Sequence, residues 1–109
     1  MRMNLEKISP IKKAKIEKGI DLVEQCNENE KIIEKMIIFG NSVTNHCTED
    51  SDIDVCLVSD YTTANNAYFE VHGGLGRVMD EVVDIFNFKR IGEKLKNKIS
   101  KNDIIVYKY

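Results

Sequence analysis

The chain has 109 residues, 42% hydrophobic and 31% charged, with one proline and no long polar tract. That is the size and composition of one folded domain, residues 1–109, with one core and no room for a separate substrate domain. The 16 basic and 18 acidic side chains leave a formal charge of -2, which excludes any global attraction to a nucleic-acid backbone. No apolar run approaches the roughly 20 residues that span a bilayer, and no signal-peptide core follows Met1–Asn4, so a cytoplasmic protein is expected, ordered except at its first few residues. Cys26, Cys47 and Cys56 are odd in number and lack CxxC spacing, which argues against a disulfide framework or a structural zinc. Cys26 and Cys56 lie in apolar patterns and read as small core residues.

The amino-terminal region, residues 1–31, reads as a helix from Ser9 or Pro10 to about Asn27. Ser9 can cap it, Pro10 suits its first position, and Ile16, Ile20 and Val23 form a stripe widened by Leu22 and Cys26. Gly19 interrupts the stripe. The core, residues 32–109, begins with a strand predicted over Ile32–Phe39, broken early by Glu34 and Lys35. Gly40–Asn45 is a turn into a short helix or an irregular loop, and Ile53–Val58 is a second strand with Ile53, Val55 and Leu57 on one face and Asp54, Cys56 and Val58 on the other. A helix is predicted over Ala64–Met79, with a mobile loop as the alternative because of Gly73, Gly74 and Gly76. Val82–Phe88 reads as a third strand and Lys89–Ile99 as a helix with Ile91, Leu95 and Ile99 in register. Ile104–Tyr107 is an edge strand or a partner-facing tail. Short segments in this order need shared burial, which favours an α/β sandwich over a helical bundle.

Asp52 and Asp54 leave the same side of a strand pattern about 6.6 Å apart along the backbone. Acids so close repel each other, and a divalent cation is one reason to tolerate them. Magnesium takes oxygen ligands, often one or two carboxylates with substrate phosphates, and a metal pair can clamp both ends of a phosphoryl displacement. Asp84 is the candidate third ligand, because its apolar flanks, Val82-Val83 and Ile85-Phe86, predict a central strand beside Asp52–Val58. Asp80 and Glu81 precede that apolar run and are expected to face solvent, and Glu49 and Asp50 are expected on the loop that approaches Asp52. An isolated D-x-D is more often a solvated strand edge. Here it follows Ile37-Ile38-Phe39, Gly40-Asn41-Ser42 and a ten-residue interval from Asn41 to Asp52. Gly40 lets a phosphate approach the backbone, and Asn41 or Ser42 can cap a helix whose free N–H groups face an anion.

These residues resemble the nucleotidyltransferase superfamily that includes DNA polymerase beta, and within it the minimal nucleotidyltransferase domains. The family pattern is Gly-Ser, ten residues, Asp-x-Asp on the next strand, and an acid on a later strand. Gly40, Asn41, Asp52, Asp54 and Asp84 fall on those positions, with Phe39, Asp50-Ser51 and the closing segment Ile99–Tyr107 adding to the likeness over residues 32–109. The resemblance implies a nucleotidyltransferase fold, a small mixed sheet packed with helices. It also implies transfer of a nucleotidyl group, AMP from ATP by default, to an acceptor hydroxyl. Asp52, Asp54 and Asp84 would be catalytic residues and ligands of two Mg2+ ions, with Gly40, Asn41 and Ser42 at the nucleotide. Two departures stand out. Asn41 replaces the family serine, with Ser42 displaced by one position, and Ser42 and Thr44 stand where minimal members often carry arginines. Positive charge must then arrive from elsewhere; Arg77 and Lys89 are weak candidates.

The resemblance further implies a partner: minimal members are often encoded beside a small helical HEPN-type protein that looks like an RNase toxin, which they neutralise by adenylylation. The main rival is a protein-binding module that keeps the fold without the chemistry, such as a partner-neutralising antitoxin. A nucleic-acid-modifying enzyme is a third class, which would need a basic channel. Apolar helix faces suit either a homodimer or a partner. His46 reads as a solvent-facing loop residue, and His72 approaches a nucleotide only if its segment folds over the site. Cys47 lacks a base for nucleophilic work, and for Tyr61, Tyr68, Tyr107 and Tyr109 ordinary packing accounts as well as surface binding or modification.

Overall fold

A computed structural model describes residues 1–101 and 103–109. Helix α1 spans Pro10–Cys26, strand β1 Lys35–Phe39, β2 Ile53–Val58, helix α2 Asn66–Met79, β3 Val83–Asn87, helix α3 Glu93–Lys101 and β4 Ile104–Lys108. The strands form one mixed sheet in the order β3-β2-β1-β4. β1 runs antiparallel to β2 and to β4, whereas β2 and β3 are parallel and α2 supplies the crossover that parallel neighbours require. The helix-on-sheet architecture expected from the sequence is the one found.

The period-two pattern of the strands decides which helix covers which face. Met36, Ile38, Ile53, Val55, Leu57 and Val106 bury one face against Ile16, Ile20 and Val23 of α1 and Val71, Leu75 and Met79 of α2. Ile37, Phe39, Cys56 and Val58 point the other way, under Ile99 and Leu95 of the short α3. Asp54 belongs to this second, thinner face. Cys56 is fully buried, and Cys26 is partly buried against the first cluster.

The glycines of α2 do not break it. A Cβ on Gly74 would lie 3.1 Å from Leu22 of α1, and one on Gly19 would lie 2.8 Å from Met79 Sδ, so both mark close approach of the two helices. Asn65 caps α2, its side-chain oxygen accepting the Tyr68 N–H at 3.0 Å. In α1, Ser9 caps as expected, but the buried stripe holds a charged residue: Lys12 is 1% exposed, one turn before Ile16.

Several expected boundaries move for identifiable reasons. Ile32 and Ile33 are core residues but not strand, because Asn27 Oδ1 accepts both of their N–H groups, at 2.9 and 2.8 Å, in place of a neighbouring strand. Phe88–Arg90 forms a 3₁₀ turn, with Asn87 Oδ1 accepting the Lys89 N–H, which delays α3 to Glu93. The first residues are ordered: Met3 N–H donates to Val106 O at 3.0 Å and Arg2 bridges Tyr107, so the amino terminus covers the β4 edge. β3, read as central, is an edge strand, since among the described residues only β2 pairs with it. Its residues are half-buried except for the exposed Asp84, and Val82 before it is exposed. Among the described residues no helix is long and apolar enough to cross a membrane.

Gly73 is the exposed exception among the α2 glycines, with nothing within 4 Å of an added Cβ. Gly73→Ala is therefore expected to raise unfolding stability by about 0.5–1 kcal/mol in a denaturant titration. A loss of stability would mean that this segment is not helical in solution.

Candidate active site

The parallel register of β2 and β3 pairs Asp54 with Asp84, and the antiparallel register of β1 and β2 pairs Asp54 with Phe39. These residues open into a cleft of about 380 Å³ lined by Phe39, Gly40, Asn41, Asp54, Asp84, Phe86, Leu95 and Lys98. Gly40 has φ +75°, which side-chain-bearing residues rarely adopt, and a Cβ there would collide with Asp54 Oδ2. Glycine thus serves twice: it turns the chain out of β1, and it leaves the space that the Asp54 carboxylate occupies.

Burial, first, and then the Asp84 carboxylate beside it push the Asp54 carboxyl up from its ordinary value of 3.8 to about 6. A hydrogen bond with Asp84 and the charge of Asp52 act in the same direction, and Lys98 opposes them. Asp52 is exposed, one residue before β2, and is near enough to add its charge without lining the cleft. Among the described residues, no three His, Cys, Asp or Glu side chains form a ready-made metal cage.

The structure brings together Gly40, Asn41, Asp54 and Asp84, but it treats the rest of the glycine segment differently from the sequence expectation. Gly40–Val43 is a four-residue 3₁₀ turn with no side-chain cap, so neither Asn41 nor Ser42 caps a helix. The turn closes instead through Asn41 O, which accepts from Thr44 N at 3.1 Å and Thr44 Oγ1 at 3.2 Å. Asn41 is exposed at the cleft, whereas Ser42 is buried, with no hydrogen-bond partner for its Oγ among the described residues.

Lys98 is the residue that sequence reasoning missed. It lines the cleft and is the positive charge that acts on Asp54, where Arg77 and Lys89 do not. Arg77 is exposed on α2, away from the cleft lining, and Lys89 is engaged by Asp60 at 2.7 Å and Glu34 at 3.7 Å. The signal was the stripe Ile91, Leu95, Ile99, which marks the face of α3 turned to the sheet; Lys98 flanks it one turn after Leu95. Of the remaining reactive residues, His46 is exposed and Cys47 buried, and His72 borders a separate hollow with Tyr68, Asn87 and Arg90. Glu81 was expected in solvent. Instead, its side chain is 13% exposed and pairs with Lys15 at 2.7 Å and Lys12 at 3.1 Å.

The mixed sheet thus sets two acids side by side beside a glycine turn. The family model described as "Polymerase beta, Nucleotidyltransferase" matches residues 20–109, and the chain belongs to that nucleotidyltransferase family. The match reaches back into α1, earlier than the resemblance read from residue 32. No curated protein gives a significant match. Among solved structures, a toxin-antitoxin with AMP-PNP is similar, at TM-score 0.67 and 20% identity, over 85% of this chain and 73% of that one. A tri-AMPylated Shewanella oneidensis HEPN toxin in complex with MNT antitoxin is similar at TM-score 0.66 and 18% identity, over 90% of this chain and 73% of that one. At such identities the likeness establishes the shared fold.

The raised Asp54 pKa has a definite sign for metal-free protein. Below its ordinary value the acid is protonated in folded and unfolded chains alike; as pH rises, the unfolded chain loses the proton first, so stability falls until about pH 6 is passed. Asp54→Asn is expected to melt higher than the native protein, in EDTA, at neutral pH, with the gap closing as pH falls from about 6 towards 3.8. A gap independent of pH would show that Asp54 carries no such strain.

Proposed function

We propose that this chain is a magnesium-dependent nucleotidyltransferase that moves AMP from ATP to a hydroxyl on a small helical HEPN-type partner protein. The observation that carries the reading is the Asp54–Asp84 pair across β2 and β3, with Gly40 behind it and Lys98 above it in one cleft. Hard carboxylate oxygens suit magnesium, which completes its shell with water and substrate phosphates and so does not require a closed protein cage. Asp52, Asp54 and Asp84 would hold it. When bound, the ion would neutralise the acids and the charge that develops on the phosphates.

The work of the chain's own residues follows from their places. Gly40 lets a phosphate group lie against the backbone, the Asn41 amide can donate to phosphate oxygen, and Lys98 offsets triphosphate charge in place of the family's arginines. Asp84, on the exposed edge strand, orients the acceptor hydroxyl or takes its proton. The hydroxyl oxygen bonds to the α-phosphorus as the bond to the bridging oxygen breaks, and pyrophosphate leaves with that electron pair. Support for donor and partner comes from the fold neighbours, one solved with AMP-PNP and one as MNT antitoxin with a tri-AMPylated HEPN toxin. We place the protein in the cytoplasm: all three cysteines are free, which suits a reducing compartment.

One observation favours a second reading, a binding module that neutralises its partner without chemistry. Asn41 stands at the family's serine position, and the nearby Ser42 hydroxyl is buried rather than presented to the cleft.

The test is incubation with labelled ATP, Mg2+ and the product of the adjacent gene, followed by detection of label on protein. Label is expected on the partner, and Asp52→Asn or Asp54→Asn should reduce it at least about 100-fold, the scale on which loss of one electrostatic catalytic group acts. Partner neutralisation without label, unchanged in both variants, would establish the binding module instead.

A further inference from the structure

Lys12 has no counterpart in the motif, yet it is the most completely buried charged side chain described, at 1% exposure. An ammonium in such a position is costly unless every proton finds a partner. Its Nζ donates to the backbone carbonyl of Glu49 at 2.8 Å and pairs with Glu81 Oε2 at 3.1 Å. Glu49 lies three residues before Asp52 and Glu81 three residues before Asp84. One buried cation therefore joins the two segments that deliver the acids to the site.

The local chain explains why such a tie matters. Residues 48–51 close on themselves, Ser51 N–H donating to Thr48 O at 3.1 Å and Thr48 N–H to Ser51 Oγ at 3.0 Å. Among the described residues, the bond from Lys12 is the hydrogen bond that joins residues 45–52 to a distant part of the fold. Beyond Glu81, Ile53 N–H donates to Val82 O at 3.1 Å, the first rung between β2 and the β3 segment. At the other end of the interval, Ser9 N–H donates to Ser42 O at 2.9 Å. The start of α1 thus grips the connection between glycine turn and acids at both ends.

We infer that Lys12 is a positioning residue for the carboxylate site, its buried ammonium setting where Asp52 stands relative to Asp54 and Asp84. The inference rests on the reading of those acids as metal ligands. It also explains why a lysine occupies the apolar stripe of α1, where an aliphatic residue would pack without any cost of charge burial.

The experiment uses the full chain and Lys12→Met, which keeps length and loses both bonds. Three readouts are compared: Mn2+ binding by electron paramagnetic resonance, amide exchange of residues 48–52, and kcat and KM for ATP in the transfer assay. Mn2+ affinity is expected to fall about 10- to 100-fold, as when a group supporting a metal ligand is removed. Exchange at residues 48–52 should accelerate, and kcat should fall more than KM for ATP changes. Lys12→Met that melts lower but matches the native protein in Mn2+ affinity and in exchange would overturn the inference, leaving Lys12 a fold-supporting residue only. If Lys12→Met does not fold, Glu81→Gln decides: weaker Mn2+ binding supports the tie, and native affinity overturns it. Native protein that binds Mn2+ but transfers no label overturns the enzyme reading, while the tie is still judged on Mn2+ and exchange. Native protein that binds no Mn2+ overturns both.

Discussion

Two carboxylates held side by side on adjacent parallel strands set the terms for the rest of this molecule. Asp54 and Asp84 face each other because β2 and β3 pair in register, and burial makes the charge on Asp54 harder to hold. Natural folds tolerate such repulsion where a cation or a reaction uses it. Around the pair, Gly40 clears space for the Asp54 carboxylate, Lys98 lines the same cleft from α3, and Asp84 sits on a strand that among the described residues pairs only with β2.

The two faces of the sheet divide the labour. One, packed against α1 and α2, holds the larger share of the aliphatic core. The other is covered by a nine-residue helix and carries the cleft. α1 is more than a cover. Through Ser9 and Lys12 it reaches the interval between the glycine turn and Asp52, so the packed face reports directly to the reactive one. The nucleotidyltransferase family match, residues 20–109, takes in both faces of the sheet.

What could be read from the sequence was what short-range pattern encodes. Gly40, Asp52 and Asp54 announced themselves through spacing, and the alternation of Ile53–Val58 assigned Asp54 to the correct face. Asp84 was found beside Asp54, yet its strand was read as central because apolar neighbours cannot reveal how many strands flank them. The glycines of α2 left a loop open as the alternative to a helix, and close packing of α1 on α2 accounts for Gly74. Ile32 and Ile33 looked like strand because a side-chain amide, Asn27, satisfying their backbone leaves no periodic trace. Lys98 and Lys12 were missed for a shared reason: lysines are common on helices, and only tertiary contacts show which one faces a carboxylate and which one is buried.

If a cation sits between Asp54 and Asp84, it should relieve the repulsion that raises the Asp54 pKa. An NMR titration of the Asp54 side-chain carboxyl, followed with and without Mg2+ and a non-hydrolysable ATP analogue, tests it directly. The expected result is a metal-free midpoint of about 6 and a clear downward shift once the ion and nucleotide are added. A midpoint at the ordinary value of 3.8 in metal-free protein, or one that Mg2+ and nucleotide leave in place, would contradict it.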